Sequence, residues 1–156
     1  MVCSLYDIII YSLFSEDDHM ALRILVIDAQ GGGIGKQLIT LIKQEIPSAY
    51  VMAVGTNSTA TTSMLKAGAD EAATGENPVV VACRSADIIV GSLGIVIADS
   101  MLGEITPKMA VSVAQSSAKR ILIPFNQCHN VIVGSDKTGT ASLVQAAVEE
   151  IKKECK

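Results

Sequence analysis

The chain has 156 residues, of which 49% are hydrophobic and only 3% aromatic, and its 16 acidic and 12 basic side chains give a formal net charge of −4. This length predicts one domain with a substantial core, and the high apolar content excludes intrinsic disorder. A net negative charge argues against a general binder of nucleic-acid backbones, which would carry a basic stripe.

The first 19 residues differ in composition from the rest. They contain four acidic residues and no Lys or Arg, whereas the remainder of the chain holds 12 acidic and 12 basic groups. Their apolar run over residues 8–14 is shorter than the roughly 20 residues that span a bilayer, and the features of a secretory signal are missing. We therefore expect residues 1–19 to be an appendage, disordered or loosely docked, before a single domain over residues 20–156 of a cytoplasmic protein with no membrane partner.

Strands and helices are predicted to alternate along this domain. Continuous apolar runs bounded by glycine or turn residues are typical of strands buried on both faces, and apolar stripes at helical spacing indicate helices. The predicted strands are residues 22–28, 50–55, 69–75, 87–91, 120–124 and 131–134. The predicted helices are residues 34–46, 58–67, 78–84, 93–102, 107–118 and 141–151, the fifth of them capped by Thr106 with Pro107 at its first position. The expected fold is α/β, a three-layer α/β/α Rossmann-like sandwich with a mostly parallel sheet of five or six strands.

A glycine-rich loop over residues 28–37 joins the first strand to the first helix. Backbone N–H groups at a helix N-terminus bind anions, and glycine lets a phosphate approach the backbone. Lys36 would add a charge-assisted contact. This pattern predicts phosphate or nucleotide binding; the alternative is a tight turn that packs helix against strand and binds no ligand.

The loop departs from the known nucleotide-binding motifs. The third glycine of a dinucleotide fingerprint is replaced by Lys36, and the hydroxyl residue of a Walker A loop is replaced by Gln37. The loop also looks like the turn of short-chain dehydrogenases, with Ala29 in place of the first glycine. Those enzymes need a Tyr-x-x-x-Lys pair, but Tyr50 is followed at that spacing by Val54, which argues against this class of oxidoreductase.

Small polar residues follow the predicted strands at the edge where ligands bind in open parallel sheets. A dinucleotide normally finds an acidic residue after the second strand for its ribose diol. Thr56 and Asn57 stand there instead, which points away from NAD and towards another phosphorylated ligand or NADP. Asn126 follows the strand at 120–124. The candidate cofactor-binding residues are Gln30, Gly31, Gly32, Gly33, Ile34, Gly35, Lys36, Thr56, Asn57, Gly91 and Ser92.

Acidic residues in the predicted loops leave an enzymatic alternative open. Asp28, Asp99 or Glu104 would serve as acid or base, whereas Glu76 would cap a helix and Glu104 would be solvated if they are only structural. No catalytic residue is assigned. Cys128-His129 is the only adjacent pair of potential soft ligands, the four cysteines show no metal-ligand spacing, and we expect no metal site.

Several segments of the chain match a known family: VIDAQGGGIGKQ at 26–37, GTN at 55–57, MLKAGADEAATGEN at 64–77, ADIIVG at 86–91, ADSMLGEITP at 98–107 and ILIP at 121–124. Through these segments, residues 20 to about 151 resemble the bacterial family catalogued as domain of unknown function 3842. The resemblance implies a Rossmann-like α/β fold and carries no implied activity.

Three functions are predicted, in decreasing order of support. The first is a small module that binds a nucleotide or other phosphorylated metabolite at the glycine-rich loop. The second is a small enzyme that uses loop carboxylates on the same scaffold. The third is a homo-oligomeric interaction protein, in which the glycine loop is structural and the apolar segment 93–118 forms a homodimer face.

Overall fold

A computed structural model describes residues 21–124, 130–133 and 138–155. The predicted appendage at 1–19 lies outside these residues, as do Asn126, Cys128 and His129. All the segments that carry the family resemblance, from 26–37 to 121–124, lie within the described residues.

Five parallel strands form one sheet in the order β3-β2-β1-β4-β5. The strands are β1 (Arg23–Asp28), β2 (Tyr50–Gly55), β3 (Glu71–Thr74), β4 (Ile88–Ser92) and β5 (Lys119–Ile123). The α-helices are α1 (Gly33–Glu45), α2 (Ser58–Lys66), α3 (Glu76–Ala82), α4 (Pro107–Gln115) and α5 (Thr140–Lys153). The predicted α/β fold is confirmed, and the arrangement is that of a Rossmann-like sandwich.

The sheet separates two apolar cores, which is why the central strands read as continuous apolar runs. Ile24 and Val26 of β1 face the core beneath α1, α2 and α5, whereas Leu25 and Ile27 face the core beneath α3 and α4. The chain winds outward from β1 to β3, then crosses to β4 on the other side of β1. The strand order therefore reverses between β1 and β4, and this is the place where open α/β sheets bind ligands.

Two helices begin at side-chain caps near this edge. Asn57 Oδ1 accepts a hydrogen bond from the N–H of Ala60 at 2.9 Å, at the start of α2. Thr106 Oγ1 accepts one from the N–H of Met109 at 3.2 Å, with Pro107 in the first turn of α4 as predicted. Helix α4 ends at Gln115, three residues before the predicted end, because Ser116 has an extended backbone with φ −60° and ψ 143°.

The helix predicted over residues 93–102 is wrong. Only Leu93–Val96 is helical, as a 3₁₀ turn, and Asp99, Met101 and Leu102 have φ angles of +61°, +55° and +59°, which a right-handed helix excludes. The segment folds back on itself because the N–H of Asp99 donates to the carbonyl of Ile105 at 2.8 Å. Apolar residues on several faces, which suggested a buried helix, instead fill the core from a compact loop.

The remaining differences concern surface and termini. Residues 131–133 are not a strand, and Gly134 lies outside the described part. About half of the apolar side chains of segment 93–118 are buried in the core, with Leu102 and Val111 among the exposed ones, so the homodimer face stays a prediction. Among the described residues, no helix has the length and apolar character needed to cross a membrane.

Candidate functional site

The carboxyl ends of β1, β2 and β4 lie side by side, and the fold brings most of the predicted ligand-binding residues to this edge. Ile27 of β1 is in register with Gly91 of β4, and Asp28 with Gly55 of β2. The N–H of Thr56 donates to the Asp28 carbonyl at 3.0 Å, which continues the pairing by one residue. The glycine loop, Thr56-Asn57 and Ser92 thus leave neighbouring strands at one edge.

The Asp28 carboxylate accepts hydrogen bonds from backbone N–H groups around the start of α1, which we call the inner amides. These hydrogen bonds come from the N–H groups of Ala29 at 2.8 Å and Gly35 at 2.6 Å, and only 5% of Asp28 is exposed. Burial raises the pKa of this carboxyl; the hydrogen bonds from Gly35, Ala29 and Ile34 oppose the rise, and the charge of Glu104 adds to it. The protein's own carboxylate therefore engages the amides of Gly35 and Ile34, two of the residues that the sequence predicted to bind a ligand.

Two of the four loop glycines are required by packing. A Cβ on Gly32, whose φ is +69°, would lie 2.7 Å from the Cα of Ala60 in α2. A Cβ on Gly35 would lie 2.4 Å from the sulfur of Met64 and 2.9 Å from the Cβ of Asp28. These glycines let α1 pack closely on α2 and on the end of β1, which is the purely structural role considered for the loop.

Gly31 and Gly33 have no such role. A Cβ at either position would have no atom within 4 Å, neither residue has a positive φ, and both are exposed. Among the described residues, their N–H groups have no hydrogen-bond partner. Lys36, one turn into α1, is exposed and forms no ion pair within the described part of the chain. We call Gly31, Gly33 and Lys36 the outer side of the loop; within the described part of the chain, its two backbone N–H groups and its ammonium group have no partner.

Glu104 reaches this edge from the loop between β4 and α4. Its Oε2 accepts hydrogen bonds from the backbone N–H of Gln30 at 2.9 Å, from Asn57 Nδ2 at 2.9 Å and from the Thr56 hydroxyl. Burial opposes ionisation, but the hydrogen bonds from Thr56, Gln30 and Asn57 outweigh it and lower the pKa of Glu104. From the sequence, Glu104 was only one of several acidic residues in predicted loops. No local pattern links it to Thr56, which lies 48 positions earlier in the chain.

The end of β4 holds one packing glycine and one unpaired hydroxyl. A Cβ on Gly91 would lie 2.6 Å from the carbonyl oxygen of Ile27, so strand packing accounts for this glycine without a ligand. Ser92 is 4% exposed, and its Oγ is buried without a hydrogen-bond partner among the residues that the structure describes. A buried polar atom without a partner indicates a place for a water molecule or a ligand group.

The other acidic candidates are dispersed. Glu76 does not cap its own helix but accepts a hydrogen bond from the Thr106 hydroxyl at 2.6 Å and lies 3.5 Å from Lys108. Asp99 is exposed, and its carboxylate forms no hydrogen bond or ion pair within the described part of the chain. Among the described residues, no group of three His, Cys, Asp or Glu side chains is placed to hold a metal ion.

A cavity of about 460 Å³ lies between β2, β3 and α3. Its lining includes Arg23 and Glu71, the first residues of β1 and β3, together with Met52, Pro78 and Val81. No residue of the glycine loop lines this cavity, which is therefore separate from the candidate site.

Comparison with known proteins identifies the family and leaves the ligand open. The model of the family described as domain of unknown function (DUF3842) matches residues 23–156. The chain belongs to this family. No curated protein matches the sequence of this DUF3842 protein.

Proposed function

We propose that this DUF3842 protein binds a small phosphorylated ligand, a nucleotide or another phosphorylated metabolite, on the outer side of the glycine loop. The observation that carries the proposal is that Gly31 and Gly33 face open space and that their N–H groups have no hydrogen-bond partner in the part of the chain that the structure describes. Neither backbone conformation nor packing explains glycine at these two positions, whereas the close approach of a phosphate does.

The ligand phosphate would be held by two hydrogen-bond donors and one positively charged group. The N–H groups of Gly31 and Gly33 donate hydrogen bonds, and the Lys36 ammonium group adds a charge-assisted contact, worth about twice a neutral hydrogen bond. Asp28 satisfies the inner amides and stabilises the start of α1 in the absence of ligand. The phosphate is therefore expected beside the loop and towards Lys36, rather than on the helix axis.

The alternatives are less well supported by the geometry. A purely structural loop accounts for Gly32 and Gly35 but not for Gly31 and Gly33. In the enzymatic alternative, Asp28 would act as acid or base, but both of its carboxylate oxygens accept backbone hydrogen bonds. Glu104 is held in its ionised form by three donors, so it lacks a proton to donate near neutral pH.

Thermal-shift and calorimetric titrations test the proposal. The ligand panel contains ATP, GTP, NAD, NADP, ribose 5-phosphate and inorganic phosphate. A bound ligand at 100 times its Kd stabilises the fold by about 2.7 kcal/mol, which is measurable as a higher unfolding temperature. Lys36→Ala is expected to weaken binding about tenfold or more, since it removes a charge-assisted contact.

Lys66→Ala is the matched control, because Lys66 is also exposed, lies on the neighbouring helix α2 and forms no ion pair within the described residues. This variant is expected to bind like the wild type. If no member of the panel binds, or if the Lys36 and Lys66 variants behave alike, the glycine loop is structural and the proposal is wrong.

A further inference from the structure

We infer that Glu104 binds the vicinal diol of a ribose, so that the ligand is a ribonucleotide whose 2′- and 3′-hydroxyls are free. This inference rests on the proposed function, because it assumes that the phosphate of the same ligand lies against the glycine loop. Glu104 would supply the acidic side chain that Thr56 and Asn57, the residues following β2, lack.

The carboxylate of Glu104 lies where a dinucleotide-binding sheet needs an acid. In such sheets an acidic residue at the end of the second strand accepts hydrogen bonds from the ribose hydroxyls. Here Thr56 and Asn57 follow β2, and both donate to Glu104 Oε2. An acid from a distant loop therefore stands at the end of β2, held by the two residues that replace the usual one.

The chemistry of the carboxylate fits hydroxyl groups and opposes a phosphate. Its Oε2 is fixed by three donors, whereas Oε1 has no hydrogen-bond partner among the described residues. An ionised carboxylate only accepts hydrogen bonds, and a ribose diol supplies two O–H donors. A 2′-phosphate at the same place would bring two negative charges together in a partly buried site.

The glycine loop and Glu104 are close enough for one nucleotide to reach both. Glu104 is bonded to the N–H of Gln30 at 2.9 Å, and Gln30 is the residue before Gly31. The buried hydroxyl of Ser92, which lacks a partner among the described residues, lies at the same edge of the sheet and leaves a place there for a water molecule or a ligand group.

This inference revises the preference for NADP that the sequence suggested. That preference rested on the missing acid after the second strand. The fold supplies the acid from residue 104, so NAD or another nucleotide with a free diol is favoured over NADP.

Isothermal titration of the full chain compares NAD with NADP and AMP with 2′-deoxy-AMP. We expect the wild type to bind NAD at least about tenfold more tightly than NADP, and AMP about tenfold more tightly than its deoxy analogue.

Glu104→Gln is expected to reduce the NAD-to-NADP preference to about threefold or less, since it removes the charge and keeps the shape. Asp99→Asn, in the same loop and without side-chain contacts to the site, should keep the wild-type preference. The comparison of AMP with its deoxy analogue uses the wild type alone, so it remains decisive if the Glu104 variant fails to fold.

Equal affinity for NAD and NADP, or for AMP and 2′-deoxy-AMP, would overturn the inference. If binding is then still lost in Lys36→Ala, the proposed phosphate site stands and only the role of Glu104 is wrong. Absence of binding by every ligand would remove both.

Discussion

The glycines of the loop differ in what they do, although they are neighbours in sequence. Gly32 and Gly35 touch other parts of the protein, whereas Gly31 and Gly33 face open space. Four glycines of one motif therefore divide into two that build the fold and two that leave room at its edge. The division predicts opposite responses to the same substitution.

Gly32→Ala is expected to lower the free energy of unfolding by about 2–4 kcal/mol, because it places a Cβ in a left-handed backbone conformation and against the backbone of α2. Gly31→Ala should change it by less than about 0.5 kcal/mol, as at other open surface positions. Urea denaturation of both variants checks the prediction. Equal stability of the two variants would mean that α1 and α2 are not packed as closely as the structure indicates.

At the scale of elements, the loop between β4 and α4 is held to the end of β2 by the carboxylate of Glu104. Asp99, Met101 and Leu102 all have positive φ, which costs about 1–2 kcal/mol for each non-glycine residue. Burial of Met101 and Ile105 in the core offsets this cost, and the hydrogen bonds to Glu104 tie the loop to the glycine loop.

The contact of Glu104 predicts an acid dependence of stability. The folded-state pKa of Glu104 lies below its ordinary value of 4.5, so the folded state binds the proton less tightly than the unfolded chain. Its stabilising contribution is complete above pH 4.5 and is lost as the pH falls through the folded pKa. Asp28 has a raised pKa and therefore acts with the opposite sign, so it does not produce this loss.

The difference in unfolding free energy between the wild type and Glu104→Gln should shrink as the pH falls from about 7 to about 3.5. Urea denaturation at a series of pH values measures it. A Glu104→Gln variant that loses stability on acidification as steeply as the wild type would show that other carboxylates are responsible.

At the scale of the whole molecule, the described residues of both apolar cores come from one continuous stretch of the chain. All buried apolar residues of the described part lie between Ile24 and Ile151, within the family-matched segment. The net charge of −4 belongs to residues 1–19, which precede that segment. The sequence-based division between an appendage and a domain therefore remains a prediction that truncation can test.

Deletion of residues 1–19 is expected to leave the thermal midpoint within about 2 °C of the full chain, since a loss of 1 kcal/mol would shift a domain of this size by about 2–4 °C. Circular dichroism melting measures the midpoint. Deleting α5 instead removes four buried residues, including Val148 and Ile151, and should abolish cooperative unfolding. A truncation at residue 19 that lowers the midpoint by more than about 4 °C would show that the appendage packs on the domain.

Local patterns in the sequence were sufficient to predict most of the fold. All five strands of the sheet and the five α-helices of the described residues were located, because buried strands and amphipathic helices leave distinct periodicities in a single segment. The start of α4 at Thr106-Pro107 follows from the local chemistry of a helix cap. The segment 93–102 was assigned wrongly, because residues buried on several sides give the same pattern in a helix and in a compact loop.

The candidate site was only half visible in the sequence. A glycine loop after a strand indicates an anion site by itself, because the loop and the helix N-terminus are consecutive in the chain. The roles of Gly31 against Gly32, and the position of Glu104 beside Thr56, depend on which segments become neighbours. The strand order β3-β2-β1-β4-β5 decides those neighbours. Sequence periodicity shows which face of an element is buried but not which distant element covers it, so these contacts exist only in the tertiary structure.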